Sequence, residues 1–372
     1  MVGVYLGGIL GPFGGSMVIP MLPEIAHDLD ITIEASALTI SVYMVTFAAG
    51  MTVSGSLAER LGYRRVIVAG FLAYALGGLA CAAAPDLGWL IAARAGQGLA
   101  NAFTSPVLLA VITSATPADA LGSVLGRFGS MQAAGQFLAP VVGGAAAVVS
   151  WRWGFVVAAM FALVLSSLMP PVRRAKTEPK GRVLALANMR LLRAGGIALG
   201  AHLTATGVMT LAAVHASAQF GLEGHLRGAV VAAFGVAGLV AGSPLGKWSD
   251  TRSTRQFGIA AAAVLAAASF SAGIAPTPVA LALCVALAGA ATTAARVAVT
   301  TLAARSTPEN RGGAMSMALS AQFLGGAIAP AVLLPIYATS ELTGFVVAAV
   351  GALGAVLLLA GYRPGPSPQG AT

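Results

Sequence analysis

Apolar and polar positions along this chain fall into long blocks. Apolar runs of about 20 residues, the length that crosses a bilayer core, recur twelve times. They lie at approximately 2–26, 36–57, 64–84, 88–112, 121–149, 152–170, 191–217, 226–247, 256–275, 278–302, 312–338 and 342–361. Each is expected to be helical, because a segment in hydrocarbon must satisfy its own backbone hydrogen bonds. One polar stretch is longer than the other loops, from 171 to 190, and carries Arg173, Arg174, Lys176, Lys180 and Arg182. It separates an N-terminal six-span unit (1–170) from a C-terminal one (191–363), which a short tail (364–372) follows. The stretch reads as a cytoplasmic connector ending in an interfacial helix, Val183–Leu192.

The two units are related. Gly55-Ser-Leu-Ala-Glu59-Arg60-Leu-Gly-Tyr-Arg64-Arg65 returns 191 residues later as Gly246-Lys247-Trp-Ser-Asp250-Thr-Arg252-Ser-Thr-Arg255. The same offset carries Gly98 to Gly289 and Thr116-Pro117 to Thr307-Pro308. Duplicated halves of this kind mark a transporter whose bundles rock around a central pathway. The fold expected is an all-α membrane protein, twelve transmembrane helices in two pseudo-symmetric six-helix bundles.

Composition supports a lipid environment, with 58% hydrophobic and 9% charged residues. The 47 glycines suit close helix packing in lipid. A net charge of +9 does not imply a nucleic-acid partner, because the basic residues are scattered through short loops. Most of the 21 Lys and Arg fall in alternate loops, with Arg152 and Arg227 alone in the loops between them. By the positive-inside rule both termini are cytoplasmic. Trp89, Trp151, Trp153 and Trp248 lie at span ends, as expected for an interfacial belt. The first apolar run lacks the basic leader of a signal peptide. Arginine far outnumbers lysine, as in GC-rich bacterial proteins. Cys81 and Cys284 are isolated in apolar runs, so no disulfide, metal site or cofactor is expected.

The chemistry inside the spans is sparse. All twelve Asp and Glu residues fall in loops or at span ends. Arg94 lies inside the fourth span, where an unpaired guanidinium costs roughly 2.5–3.5 kcal/mol on insertion scales. It therefore faces a cavity, bonds to carbonyls, or snorkels. Arg127 and Arg296 lie nearer a span end and are read as snorkelling. His202, midway along the seventh span, is either a titrating group or a neutral interhelical bond; Glu24 and Glu34 are the next candidates. Gly135, Ala139 and Gly143, four residues apart, share one smooth helix face beside Pro140 and Gly144. Gly238, Gly242 and Gly246 offer a matching face on the eighth span.

These motifs resemble the major facilitator superfamily along nearly the whole chain. The loop Gly55–Arg65 matches its most diagnostic signature, with Glu59 in place of the usual Asp. Arg94-Ala-Gly-Gln97-Gly98 matches a second motif. Gly135–Gly144 resembles the antiporter motif, with Ala139 where Gly is usual, and Trp151-Arg-Trp-Gly-Phe155 resembles the twelve-span drug:proton antiporters. The resemblance implies a cytosolic latch of Gly55, Glu59, Arg60, Arg64, Arg65, Gly246, Asp250 and Arg255. It implies proton coupling through Arg94, to which His202 is added on its own residue chemistry, and a fifth-helix interface to the other half. Tyr43, Thr46, Gln97, Asn101, Gln132, Gln136, Thr206, Phe234, Thr293 and Gln322 are candidates for the substrate cavity, or equally for interhelical bonding.

The expected protein is a proton-coupled exporter of small amphiphilic compounds, neutral or weakly anionic because no acid is buried. It is expected to work as a monomer in the cell membrane. An uptake permease for a metabolite is the alternative. A transport-inactive sensor would normally add a soluble signalling domain, and none is seen. No nucleophile–base pair, metal cluster or phosphate loop points to an enzyme.

Overall fold

The computed structural model describes residues 2–116, 121–171, 188–250, 253–307 and 311–362. Within them the N-terminal half runs through α1 (Val2–Ser16), a 3-10 turn (Ile19–Met21), α2 (Leu22–Asp28), α3 (Ile33–Leu61) and α4 (Tyr63–Ala82). It continues with α5 (Leu87–Ala102), α6 (Ser105–Ser114), α7 (Leu121–Val149) and α8 (Arg152–Ser167). The C-terminal half comprises α9 (Met189–Ala218), α10 (Gly224–Asp250), α11 (Thr254–Ala272), α12 (Pro278–Ser306), α13 (Arg311–Thr339) and α14 (Glu341–Ala360). No strand occurs among the described residues.

Two of the apolar runs are broken helices. The first is interrupted after Ser16, where Pro20 and Pro23 open the 3-10 turn and α2 at positions that need no backbone donor. The fourth divides at Phe103–Thr104, and Pro106 opens α6 in the same way. Counting each broken pair as one crossing, eleven segments are long and apolar enough to span a membrane. The remaining apolar helix, α8, has 16 residues, and with it the twelve expected runs are all helical. The connector lies mostly outside the described residues, at 172–187, as does the tail from 363. Met189–Leu192 is not an interfacial helix. It is the first turn of α9, capped by the Asn188 side chain, which accepts from Leu191 N at 2.8 Å.

The 191-residue repeat returns as packing. Gly98 lies against the carbonyl of Tyr43, and Gly289 against that of Phe234; both pairs are related by the same offset. A side chain at either glycine would collide with the neighbouring backbone, so these glycines let α5 seat on α3 and α12 on α10. Arg64 Nε donates to Met169 O at 3.2 Å, and Arg255 donates to Leu359 O at 3.0 Å and Ala360 O at 2.5 Å. Each arginine thus caps the C-terminal carbonyls of the last helix in its own half. The tight turn between α3 and α4 passes through Gly62, whose φ of 97° favours glycine.

Trp89, Trp153 and Trp248 are exposed, as a lipid-interface position requires. Trp151 departs from that expectation. It is buried and donates its indole N–H to Asp28 at 3.0 Å. The halves meet chiefly along two seams, α3 against α13 and α7 against α10.

Candidate transport site

Both seams depend on small or flexible residues. Along α3 and α13, Phe47 meets Phe323 edge-on with centroids 4.5 Å apart. Gly326 lets His202 of α9 and Met44 of α3 approach the same point, and a Cβ there would lie 2.7 Å from Met44 Sδ. Along α7 and α10, a Cβ at Gly144 would fall 2.5 Å from Gly224 O, and one at Gly228 would fall 2.5 Å from Pro140 O. Gly235 packs equally closely on Phe137.

This crossing corrects two expectations about helix five. Gly135 and Gly143 face α1 in their own half, against the carbonyls of Ile9 and Met17, while Ala139 is fully buried. The residues that meet the other half are Pro140, Gly144 and Ala147, one step round the helix. The matching glycines on α10 are Gly224, Gly228 and Gly235. Gly238 and Gly242 instead face Thr293 of α12, and Gly246 has no atom within 4 Å of a built Cβ among the described residues. The periodicity located a smooth face correctly but not its partner, because two smooth faces on one helix look alike in sequence.

The α7–α10 crossing is secured at its end by charge. Arg227, at the start of α10, is 3% exposed. Its guanidinium reaches across the seam to the carboxylate of Glu24 and to Pro20 O at 3.2 Å, and also binds Leu222 O at 2.9 Å. One turn along α2, Asp28 pairs with Arg152 within the N-terminal half. Arg152 and Arg227 were visible only as the two basic residues on the sparsely charged side. That both would meet α2, through acids four residues apart, could not be read from spacing.

The opposite end of the seam is the basic one. Gly55, Gly126, Gly129 and Gly246 have no atom within 4 Å of a built Cβ among the described residues. Arg60, Arg64 and Arg65 are exposed, and Glu59 is half-buried at the end of α3. Arg64 and Arg255 bind within their own halves as described above, and neither reaches across the seam. The side chain of Asp250 lies outside the described residues, as do Arg252 and Pro308.

Arg94 is completely buried and does not snorkel. Its Nε donates to Thr39 O at 3.2 Å, one terminal nitrogen to Gln97 Oε1 at 2.6 Å, and the other to Gly14 O at 2.8 Å. Gly14 lies in the last turn of α1, where carbonyls lack a partner four residues on. The guanidinium also lies 4.1 Å above the Tyr43 ring. Asn101 Nδ2 donates to Tyr43 OH at 2.6 Å and Gly11 O at 3.1 Å. Tyr43, Gln97 and Asn101 are therefore not cavity-facing. With Arg94 they form a buried polar knot that ties α1, α3 and α5 together.

Other cavity candidates divide. Phe234 is buried, and Thr46 and Thr293 bond back to their own helices. Thr206 is buried near Gly326. Gln132, Gln136 and Gln322 are half-buried, and Gln136 crosses to Met209 Sδ of α9 at 3.6 Å. His202 is half-buried, edge-on to Phe323 at 6.0 Å, and its ring has no hydrogen bond or ion pair among the described residues. Because α12 extends to Ser306, Arg296 lies ten residues before its end, about 15 Å at 1.5 Å per residue.

The family model of the Major Facilitator Superfamily matches residues 4–195 and 194–372. The chain belongs to this superfamily and is a multi-pass membrane transporter. Among curated relatives, the uncharacterized transporter EfpA of Mycobacterium tuberculosis is 30% identical over 191 residues, 49% of this chain and 36% of that protein. The puromycin resistance protein pur8 of Streptomyces alboniger is 31% identical over 47% of this chain and 36% of its own length. Citrate exporter 1 of Aspergillus niger is 32% identical over 38% of this chain and 27% of its own. Each match therefore spans about a third of the relative or less. In fold, the chain is similar to a bacterial homologue of the human lysosomal transporter Spinster, in an inward-facing, unoccupied conformation. The TM-score is 0.73 at 14% identity, over 96% of this chain and 94% of that one. The human organic anion transporter MFSD10 aligns with a TM-score of 0.71 at 15% identity, over 96% and 98%.

Proposed function

We propose that this protein exports small amphiphilic molecules across a bacterial cell membrane by alternating access, in exchange for protons. The observation that carries the reading is the unequal seam. One end is closed by backbone contact and an ion pair that crosses the halves, while at the other, which we read as the open end, Gly55 and Gly246 have no described atom within 4 Å of a built Cβ. With both termini in the cytoplasm, the open end faces the cytosol, where an exporter loads. The names of relatives, among them a drug-resistance protein and an exporter, support the outward direction.

In this reading Arg227 and Glu24 hold the outer gate, and Pro140, Gly144, Gly224 and Gly228 form the hinge-like crossing below it. The paired loops around Gly55, Glu59, Gly246 and Asp250 close the cytosolic side when the bundles rock back. Arg64 and Arg255 fasten each loop to its own bundle. Arginine does not release its proton in proteins, so Arg94 contributes to coupling by holding α1, α3 and α5 in one arrangement. His202 is the titrating group, placed at the seam between α3, α9 and α13.

The test is substrate export from proteoliposomes with an imposed pH gradient. Wild-type protein is expected to export substrate against the substrate's own gradient as protons run inward down theirs, and to stop with a protonophore. His202→Gln is expected to retain downhill movement and lose the gradient-driven part. Gradient-driven export by His202→Gln at the wild-type rate would overturn the assignment of His202. Gradient-driven accumulation in the opposite direction would favour the uptake permease.

A further inference from the structure

Two arginines lie well inside the helices of this molecule, and they are in opposite states. Arg94 has all three guanidinium nitrogens bonded to protein. The Arg296 guanidinium has no hydrogen bond or ion pair among the described residues; its backbone carbonyl accepts from Thr300 Oγ1 at 2.9 Å. Arg296 is half-buried, and its guanidinium is absent from the fully enclosed unpartnered atoms, so it keeps access to open space. On α12 the exposed Leu283 and Leu287 mark the lipid side. Arg296 projects about 140° away from Leu283 at 100° per residue, towards the interior of the C-terminal bundle. His202 of α9, itself without a hydrogen bond, lies within Coulombic range of it. No carboxylate among the described residues pairs with either.

An unpaired guanidinium at membrane depth is costly, and such a residue persists where it meets an ion or substrate. From this placement, and resting on the transport reading above, we propose that Arg296 is the recognition group for an anionic substrate. The ligand is an amphiphile carrying one carboxylate or sulfonate. The charged group bonds to Arg296, His202 lies beside it as a second donor, and the aromatic pair Phe47 and Phe323 meets the apolar part. Assigning anion recognition to Arg296 moves it away from Arg94, whose donors are already occupied. It also explains how a pathway without buried acids obtains specificity: the substrate supplies the missing negative charge.

Three dansyl probes of similar size test this: dansylglycine (anionic), its amide (neutral) and dansylethylenediamine (cationic). Binding to the purified full-length protein and export from proteoliposomes are measured for wild type, Arg296→Gln and Arg296→Lys. The wild type is expected to prefer the anion. In Arg296→Gln the anion-to-neutral ratio should fall ten- to a hundredfold, about the value of a charge-assisted hydrogen bond, with partial recovery in Arg296→Lys. An unchanged ratio in Arg296→Gln, or a wild-type preference for the cation, overturns the proposal. Export of the neutral probe with no binding or export of the anion overturns it too, while leaving the export reading intact. If no probe is exported but dansylglycine binds in an Arg296-dependent way, export fails and the recognition site stands. If no probe is bound or exported by the wild type, the proposal fails.

Discussion

At one end of the seam, Gly144 and Gly228 bring two backbones together and Arg227 reaches across to Glu24. At the other, Gly55 and Gly246 have no described atom within 4 Å of where a side chain would begin. The difference lies in where the polar residues spend their bonds. At the closed end a buried arginine bonds across the halves. At the open end Arg64 and Arg255 bond within them, each to the last carbonyls of its own bundle. Contacts inside a half therefore survive a rocking motion, and contacts across it must break. Parts of the internal 191-residue symmetry persist within the bundles, in the Gly98 and Gly289 contacts and the Arg64 and Arg255 caps, although α9 and α12 run unbroken where α1–α2 and α5–α6 are divided.

Substitutions can break this contrast in graded steps. Arg227→Ala removes the cross-seam bond and strands Glu24, at a cost of about 2–3 kcal/mol, the low end for a buried pair because Glu24 keeps some solvent contact. A cysteine reporter at Ala147 is expected to become reactive from outside, while export falls; an unreactive Ala147→Cys would argue against the latch. Gly228→Leu is next. It forces a side chain onto Pro140 O and Gly144, an overpacking worth about 1–3 kcal/mol. The closed end should be unable to form, seen as the same gain in outside labelling with normal membrane insertion.

Arg64→Ala and Arg255→Ala should each lower thermal stability in detergent by about 1 kcal/mol. Their effects should add in the double variant within about 0.5 kcal/mol, because the sites share no partner. Strong non-additivity would mean that the two loops communicate across the seam. The smallest effect is expected from Gly55→Ala and Gly246→Ala: Tm unchanged, since nothing described lies against either glycine, and a slower transport cycle if that end must close. A drop in Tm would show that this end is already packed.

Much of the fold was legible in the sequence, because hydrocarbon forces each apolar run into a helix and the repeat fixes which runs correspond. Gly98 and Gly289 carried that correspondence directly into packing. Less of the site was legible. The sequence puts Arg94 and Arg296 alike inside apolar runs, but whether a guanidinium meets a free carbonyl depends on where α1 breaks. Asn101 bonds to a carbonyl of the same broken helix and Gln97 accepts from Arg94, which made polar mid-span residues resemble a cavity wall. The Glu24–Arg227 pair joins residues some two hundred positions apart through a rigid-body contact, and local spacing carries no trace of such a contact.

The central claim is that the two ends of the seam open and close in opposition. Pairs of spin labels on the full-length protein in nanodiscs test it directly, one pair at positions 149 and 223 and the other at 57 and 248. On adding transported substrate and varying pH, the first distance is expected to lengthen in the subpopulation in which the second shortens. Two distances that stay fixed under conditions supporting transport, or that lengthen together, would contradict it.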